Sequence, residues 1–162
     1  MKHTISILVE NHAGVLSRIS GLFARRGYNI HSLAVGVTED ENVSRITIVA
    51  EGNNYTLEQI EKQLNKLIDV IKVRSLASGE LLARELVLAK VSCMPAQRNE
   101  LISIAEITKA KISDVSVNTM TLELSGNENI LRTFEELIRP FGIKEMVRTG
   151  TIAMQKGATS LK

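Results

Sequence analysis

The residues best suited to chemistry in this chain lie in the run Asn11-His12-Ala13-Gly14-Val15, where an apolar stretch gives way to an amphipathic one. At a strand-to-helix handover the first amide hydrogens of the helix have no internal partners. The helix dipole adds partial positive charge there, so such a turn is prepared for a carboxylate or phosphate. Gly14 lets a ligand approach the backbone, Asn11 adds a side-chain amide, and no acidic side chain in the turn competes for the donors. The missing second and third glycines, and the absence of a following Lys-Ser or Lys-Thr, argue against a dinucleotide or P-loop site. A small carboxylate is the ligand left. Asn and Gly are also ordinary turn and cap residues, so spacing alone leaves a purely structural reading open.

The corresponding junction in the second half, Cys93-Met94-Pro95-Ala96-Gln97, has neither Asn nor Gly, which confines any such site to the first half. Asn29 follows Gly27-Tyr28 and enters the next strand. Its amide both donates and accepts, and it could clamp an ammonium and carboxylate pair if its strand approached the turn of another subunit. A solvent-facing turn residue is the alternative. His3, His12 and His31 share no short metal-ligand spacing with one another or with Cys93. Glu39-Asp40-Glu41 lacks the spacing of a calcium loop and reads as a solvated hairpin. Cys93 follows an apolar strand with no histidine near it in sequence, the pattern of a buried, inert thiol. Nothing assembles a nucleophile, its base and an oxyanion hole, so no catalytic and no metal site is expected.

The elements that position the turn follow from periodicity. Thr4 to Glu10 is an apolar, β-branched strand, and Val15, Ile19, Leu22 and Phe23 form a helical stripe closed by Gly27 in a left-handed cap. Ile30 to Val37 and Val43 to Glu51 read as strands joined by a hairpin. Thr56 and Gln59 have capping-box spacing at the head of a helix whose stripe is Leu57, Ile60, Leu64, Leu67 and Ile68, and Asp69 to Ser75 returns to extended structure. Strand, helix, strand, strand, helix, strand is the split βαβ arrangement of the ferredoxin-like fold.

The order repeats after a link at Ala77-Ser78-Gly79. Strands are expected at Glu85 to Cys93, Lys111 to Val117, Thr119 to Leu124 and Ile143 to Met154, with helices at Gln97 to Ala110 and Asn129 to Arg139. The expected class is α+β, two tandem βαββαβ domains at 1–76 and 83–162 joined by a linker at 77–82. A short frayed tail is expected from Gly157.

Composition narrows the function classes. The 162 residues are 44% hydrophobic and 23% charged, which suits one or two small folded domains. Twenty basic against eighteen acidic residues, evenly spread over the two halves, offer no basic arm to nucleic acid or membrane. One cysteine suggests a reducing compartment, and the longest apolar run, Leu86-Val87-Leu88-Ala89, is far short of a membrane span. The expected location is the cytoplasm. Two Tyr, three Phe and no Trp leave little surface for stacking bases. A ferredoxin-like RNA-binding protein is the alternative, but the strands ISILV and RITIV carry no aromatics. A small phosphatase on this fold would want an arginine in the first turn, which has none.

SILVENHAGVLSRISGLFARRGYNIHSLAVG, continued by SRITIVAEG, LEQIEKQLNKLIDVIKV and RELVLAKV, resembles the family of small regulatory subunits of acetohydroxyacid synthase, also called acetolactate synthase. The resemblance spans nearly the whole chain and is strongest over residues 4 to 76. It implies an N-terminal ACT domain, a ferredoxin-like ligand-sensing module, and a noncatalytic protein. It further implies a homodimer that activates a catalytic large subunit carrying thiamine diphosphate, magnesium and FAD. Feedback inhibition by branched-chain amino acids, typically valine, is part of the same implication. In such proteins the effector sits between two ACT domains. Asn11, Gly14, Val15 and Leu16 match one side of that site, and Asn29 and Ile30 the other.

Overall fold

The computed structural model describes residues 1–77 and 79–161. Its elements are β1 (Lys2–Glu10), α1 (Val15–Arg26), β2 (Ile30–Val37), β3 (Val43–Glu51), α2 (Asn54–Leu64), β4 (Val70–Leu76) and β5 (Leu81–Ser92). They continue as α3 (Arg98–Thr108), β6 (Lys111–Val115), β7 (Thr119–Gly126), α4 (Glu128–Ile138), β8 (Ile143–Arg148) and β9 (Ile152–Gln155). Ser78 of the expected link and Lys162 of the expected tail lie outside the described residues. The chain forms two compact units, Met1–Ala83 with Thr151–Lys162, and Arg84–Gly150.

In the first unit the sheet order is β2-β3-β1-β4, antiparallel throughout, the order of a ferredoxin-like fold. Alternation along β1 sends Ile5, Ile7 and Val9 toward the helices, where they meet Ile46 and Ile48 of β3. Val15, Ile19, Leu22 and Phe23 of α1 and Ile60 and Leu64 of α2 complete this core. Phe23 is buried and meets Tyr28 edge to face, with ring centroids 6.0 Å apart.

The opposite face of that sheet is also covered. Ser6 and Thr47 are 0% and 3% exposed there. The cover comes from the end of the chain. Arg45 Nη2 donates to the Ala153 carbonyl at 2.8 Å, the Thr151 amide to Ser32 Oγ at 2.8 Å, and Arg74 Nη1 to the Ser160 carbonyl at 2.9 Å. The Lys156 amide donates to the Glu80 carbonyl at 2.7 Å, and Leu161 is buried.

This departs from the expected single strand over Ile143 to Met154 and from the expected frayed tail. Gly150, at φ +81°, interrupts the extended run, so β8 ends at Arg148 and the chain after it joins the first unit. The physical reason is the uncovered face of a central strand, a demand set by β1 and invisible in the local pattern of residues 151–161. The strand expected at Glu85 likewise begins earlier, at Leu81, inside the expected linker.

Helix ends are decided by side chains that reach back. α2 is capped by Asn53, whose Oδ1 accepts from the Thr56 amide at 2.8 Å, so Thr56 is the third residue of the helix rather than its cap. The helix stops at Leu64. Leu67 still packs on the core, but Ile68 is 90% exposed and outside the stripe expected for it. Gly27 takes the left-handed cap expected of it, at φ +68°.

The second unit repeats the order as β6-β7-β5-β8. Its core joins Val87, Ala89 and Val91 of β5 to Leu122 of β7, Leu101 of α3 and Phe134 of α4. Cys93 is fully buried among them. Pro95–Gln97 forms a short 3-10 turn before α3, which begins one residue later than expected. No helix among the described residues is long and apolar enough to cross a membrane.

Phe23→Ala is expected to lower unfolding free energy by about 3–5 kcal/mol, the cost of emptying a closed aromatic site. Asn53→Ala should cost only about 1 kcal/mol, as the loss of one N-cap. Urea denaturation followed by circular dichroism ranks the two.

Candidate functional site

α1 begins without a side-chain cap. Asn127 caps α4 through its side chain, as Asn53 caps α2. The residue in that position for α1 is Gly14, which has no side chain to offer, and the first turn contains no acidic residue. The first helical bond runs from the Arg18 amide to the Gly14 carbonyl at 3.0 Å, which leaves the amides of Val15, Leu16 and Ser17 outside the ladder. Gly14 sits at φ +91°, and no atom beyond its two chain neighbours lies within 4 Å of where a Cβ would stand. Arg25 and Arg26 occupy the far end of the helix, so the charge along it favours an anion at the Gly14 end.

Of the residues expected to line a site, Val15 turns its side chain into the core and can contribute only its backbone. Leu16 is 42% exposed, an apolar surface beside the turn. The Asn11 side chain is engaged: Nδ2 donates to the Glu41 carbonyl at 2.8 Å and Oδ1 accepts from Ser44 Oγ at 3.0 Å. It joins the turn to the β2–β3 hairpin and leaves the helix amides as the open donors.

Asn29 is exposed and its side chain makes no hydrogen bond among the described residues, whereas Ile30 packs against the core. These two do not approach the turn within one chain. His3 and Ile30 both face Ala50, while Glu10 faces Val43. At about 3.3 Å per residue the two groups lie about 25 Å apart, at opposite ends of the sheet.

A network around the turn was not legible in the sequence. Asp69, between α2 and β4, is buried; one carboxylate oxygen accepts from Arg18 of α1 and the other faces His12 Nε2 at 3.0 Å. Its carbonyl accepts from the Glu10 amide at 2.9 Å. The turn is thus tied to a residue 57 positions away. An acidic residue just after a helical stripe was the only local signal, and it is a common one. Glu10, His12 and Asp69 bring three ligand-type atoms within 4.8 Å of one another. Arg18 already bonds one of the Asp69 oxygens, and its positive charge disfavours a metal ion there.

His12 Nδ1 lies 3.1 Å from the Ala13 carbonyl. That carbonyl and the Asp69 carboxylate are both acceptors, so only the imidazolium, with a proton on each nitrogen, satisfies both contacts. The bond to Ala13 raises the His12 pKa above its ordinary value, lost hydration opposes the rise, and the Asp69 and Glu10 carboxylates add to it. A raised folded-state value means stability that is fully present below the unfolded pKa and is lost as pH climbs through the folded one. An NMR titration of His12 should therefore have its midpoint above that of a free histidine, and Asp69→Asn should move it down. Melting temperature should fall across the same interval in the parent and less in the variant.

The comparisons with known proteins agree with this architecture. The AHAS small subunit-like ACT domain family matches residues 5–72, and the family described as the small subunit of acetolactate synthase matches residues 84–157. A probable acetolactate synthase small subunit of Archaeoglobus fulgidus is 48% identical over 157 residues, covering 97% of this chain and 98% of its own. The acetolactate synthase small subunit of Mycolicibacterium smegmatis is 43% identical, over 96% of this chain and 91% of its own. The crystal structure of the acetolactate synthase small subunit from Thermotoga maritima superposes with a TM-score of 0.92 at 36% identity, over 98% of this chain and 99% of that one.

Proposed function

The chain belongs to the family of acetolactate synthase small subunits, and on that premise we propose that it is the noncatalytic regulatory partner of a catalytic large subunit. In this reading it raises the activity of the large subunit and conveys feedback inhibition by valine. The thiamine diphosphate, magnesium and FAD of the reaction reside on the large subunit. The observation that carries the reading is the uncapped, acid-free start of α1 behind Gly14, a set of amide donors open to a small carboxylate.

The sheet register supports a site shared by two copies. β2 is an edge strand, with neighbours on one side only. Val37, at its far end, faces Ser44, which in turn faces Val9, so that end of β2 lies beside the turn. If two β2 edges pair antiparallel about a twofold axis, Ile30 of a second copy comes opposite Val37. Asn29 of that copy then lies at the end of the sheet that holds Asn11 and Gly14. Pairing would also close an exposed edge that carries Val35 and Val37 at 47% and 64% exposure. The amino acid's carboxylate would take the α1 amides, Asn29 of the second copy its polar end, and Leu16 part of its side chain.

Regulation then follows from linkage. An effector held between copies stabilises one dimer arrangement over another, and the same free-energy difference appears as weakened activation of the large subunit. The RNA-binding alternative finds no support: the β1 and β3 residues facing away from the helices, Ser6, Leu8, Arg45 and Thr47, include no aromatic.

Gly14→Asp places a carboxylate where the effector's own would bind. Valine inhibition of the complex reconstituted with its large subunit should be lost while activation persists. The space at Gly14 is open but its φ is positive, so Gly14→Asn, which tolerates that backbone without adding charge, serves as the control for strain. Unchanged inhibition in Gly14→Asp would sink the assignment.

A further inference from the structure

The face of the first sheet turned away from α1 and α2 holds two guanidiniums that no carboxylate among the described residues bonds. Arg45 of β3 faces Leu8, and Arg74 of β4 faces Ser6, so the pair flanks β1 from either side. Both are partly buried. Their bonds all go to neutral acceptors: Arg45 to Ser6 Oγ and the Ala153 carbonyl, each at 2.8 Å, and Arg74 to Gln155 Oε1 at 3.3 Å and the Ser160 carbonyl at 2.9 Å. A guanidinium has five N–H donors, so each retains some beyond those in use. Loss of hydration pulls the Arg45 pKa below its ordinary value, a sign of positive charge held without an answering negative one.

Beside the two arginines lies a cavity of about 760 Å³, formed within the first unit. Roughly 300–1,000 Å³ is the usual range for small-molecule pockets. Its apolar wall is Leu8, Leu76 and Leu161, all buried, with Ile71 and Met154 each 53% exposed. Glu39 and Asp40 also line it, which disfavours ligands of high negative charge. A neutral apolar ligand would leave the guanidiniums unanswered, and a polyphosphate would meet apolar walls and two carboxylates.

We propose that this cavity is a second ligand site, for a small monocarboxylate with an aliphatic body. The carboxylate bonds Arg45 and Arg74, and the aliphatic chain lies along Leu8, Leu76 and Leu161. Because the same guanidiniums hold the Ala153 and Ser160 carbonyls, occupancy also steadies the C-terminal segment on the sheet. The site shares no residue with the α1 turn or with Asn29 and Ile30, and stands whether or not those bind an effector.

The test is isothermal titration of the full chain with octanoate and, in parallel, 1-octanol. Octanoate should saturate at about one per chain and bind about tenfold or more tighter than octanol, the worth of a charge-assisted hydrogen bond. Arg74→Gln should remove most of that difference. Ile71→Trp, at an exposed lining position that takes no part in the hydrogen bonds of either guanidinium, should block binding by filling the cavity, so the proposal stays testable if Arg74→Gln fails to fold. Octanoate should still bind Gly14→Asp. The proposal is overturned by no saturable octanoate binding up to about 10 mM, by equal affinity for octanol, by full binding in Ile71→Trp, or by loss of binding in Gly14→Asp.

Discussion

β1 runs through the middle of its sheet with every side chain from Ile5 to Val9 buried, and the rest of the first unit answers to that constraint. Its alternation divides the burden: Ile5, Ile7 and Val9 are met by two helices, Ser6 and Leu8 by whatever covers the other face. The helices come from the neighbouring sequence. The cover on the other side comes from residues 151–161, returned to the sheet by bonds from Arg45 and Arg74 and by the buried Leu161. A strand held on both faces has a well-determined end, and at that end stands the turn that opens α1.

The turn is held in place without its donors being consumed. Asn11 anchors it to the hairpin, His12 and Arg18 anchor it to Asp69, and Asp69 anchors the last residue of β1 through its carbonyl. None of these bonds uses the α1 amides beyond Gly14. Where a side-chain cap would stabilise the helix by only a few tenths of a kcal/mol over glycine, the chain places a glycine, and the first amides keep no side-chain acceptor. A receptor for a small anion needs this combination, a rigid frame around unsatisfied groups. The second unit, built to the same order, starts its first helix differently, through a 3-10 turn at Pro95–Gln97 and with the acidic Glu100 in its first turn.

The two faces of the first sheet offer different chemistry. The helix side presents backbone dipoles at its end, suited to the carboxylate of a compact amino acid. The other side presents guanidiniums beside aliphatic walls, suited to an acid with a longer apolar body. Both depend on β1 for their alignment, so ligands at either would act on the same central element.

How much of this was legible in the sequence depends on the range of the physics. The run TISILVE, the stripe Val15, Ile19, Leu22 and Phe23, and the left-handed Gly27 are local signals, and strands, helices and the repeated ferredoxin-like order followed from them. The uncapped turn at Gly14 was legible for the same reason, since a cap is decided within a few residues. Asp69 under His12, Asn11 bonded to Ser44 and Leu161 packed onto the sheet were not, because each joins residues far apart in the chain. The sequence by itself determined the elements and the turn that could hold an anion. Only the tertiary structure decided that the chain's end covers the second face, and that Asn29 lies at the far end of the sheet from that turn. Those outcomes depend on which surfaces remain open once the strands have paired, and no local pattern records that.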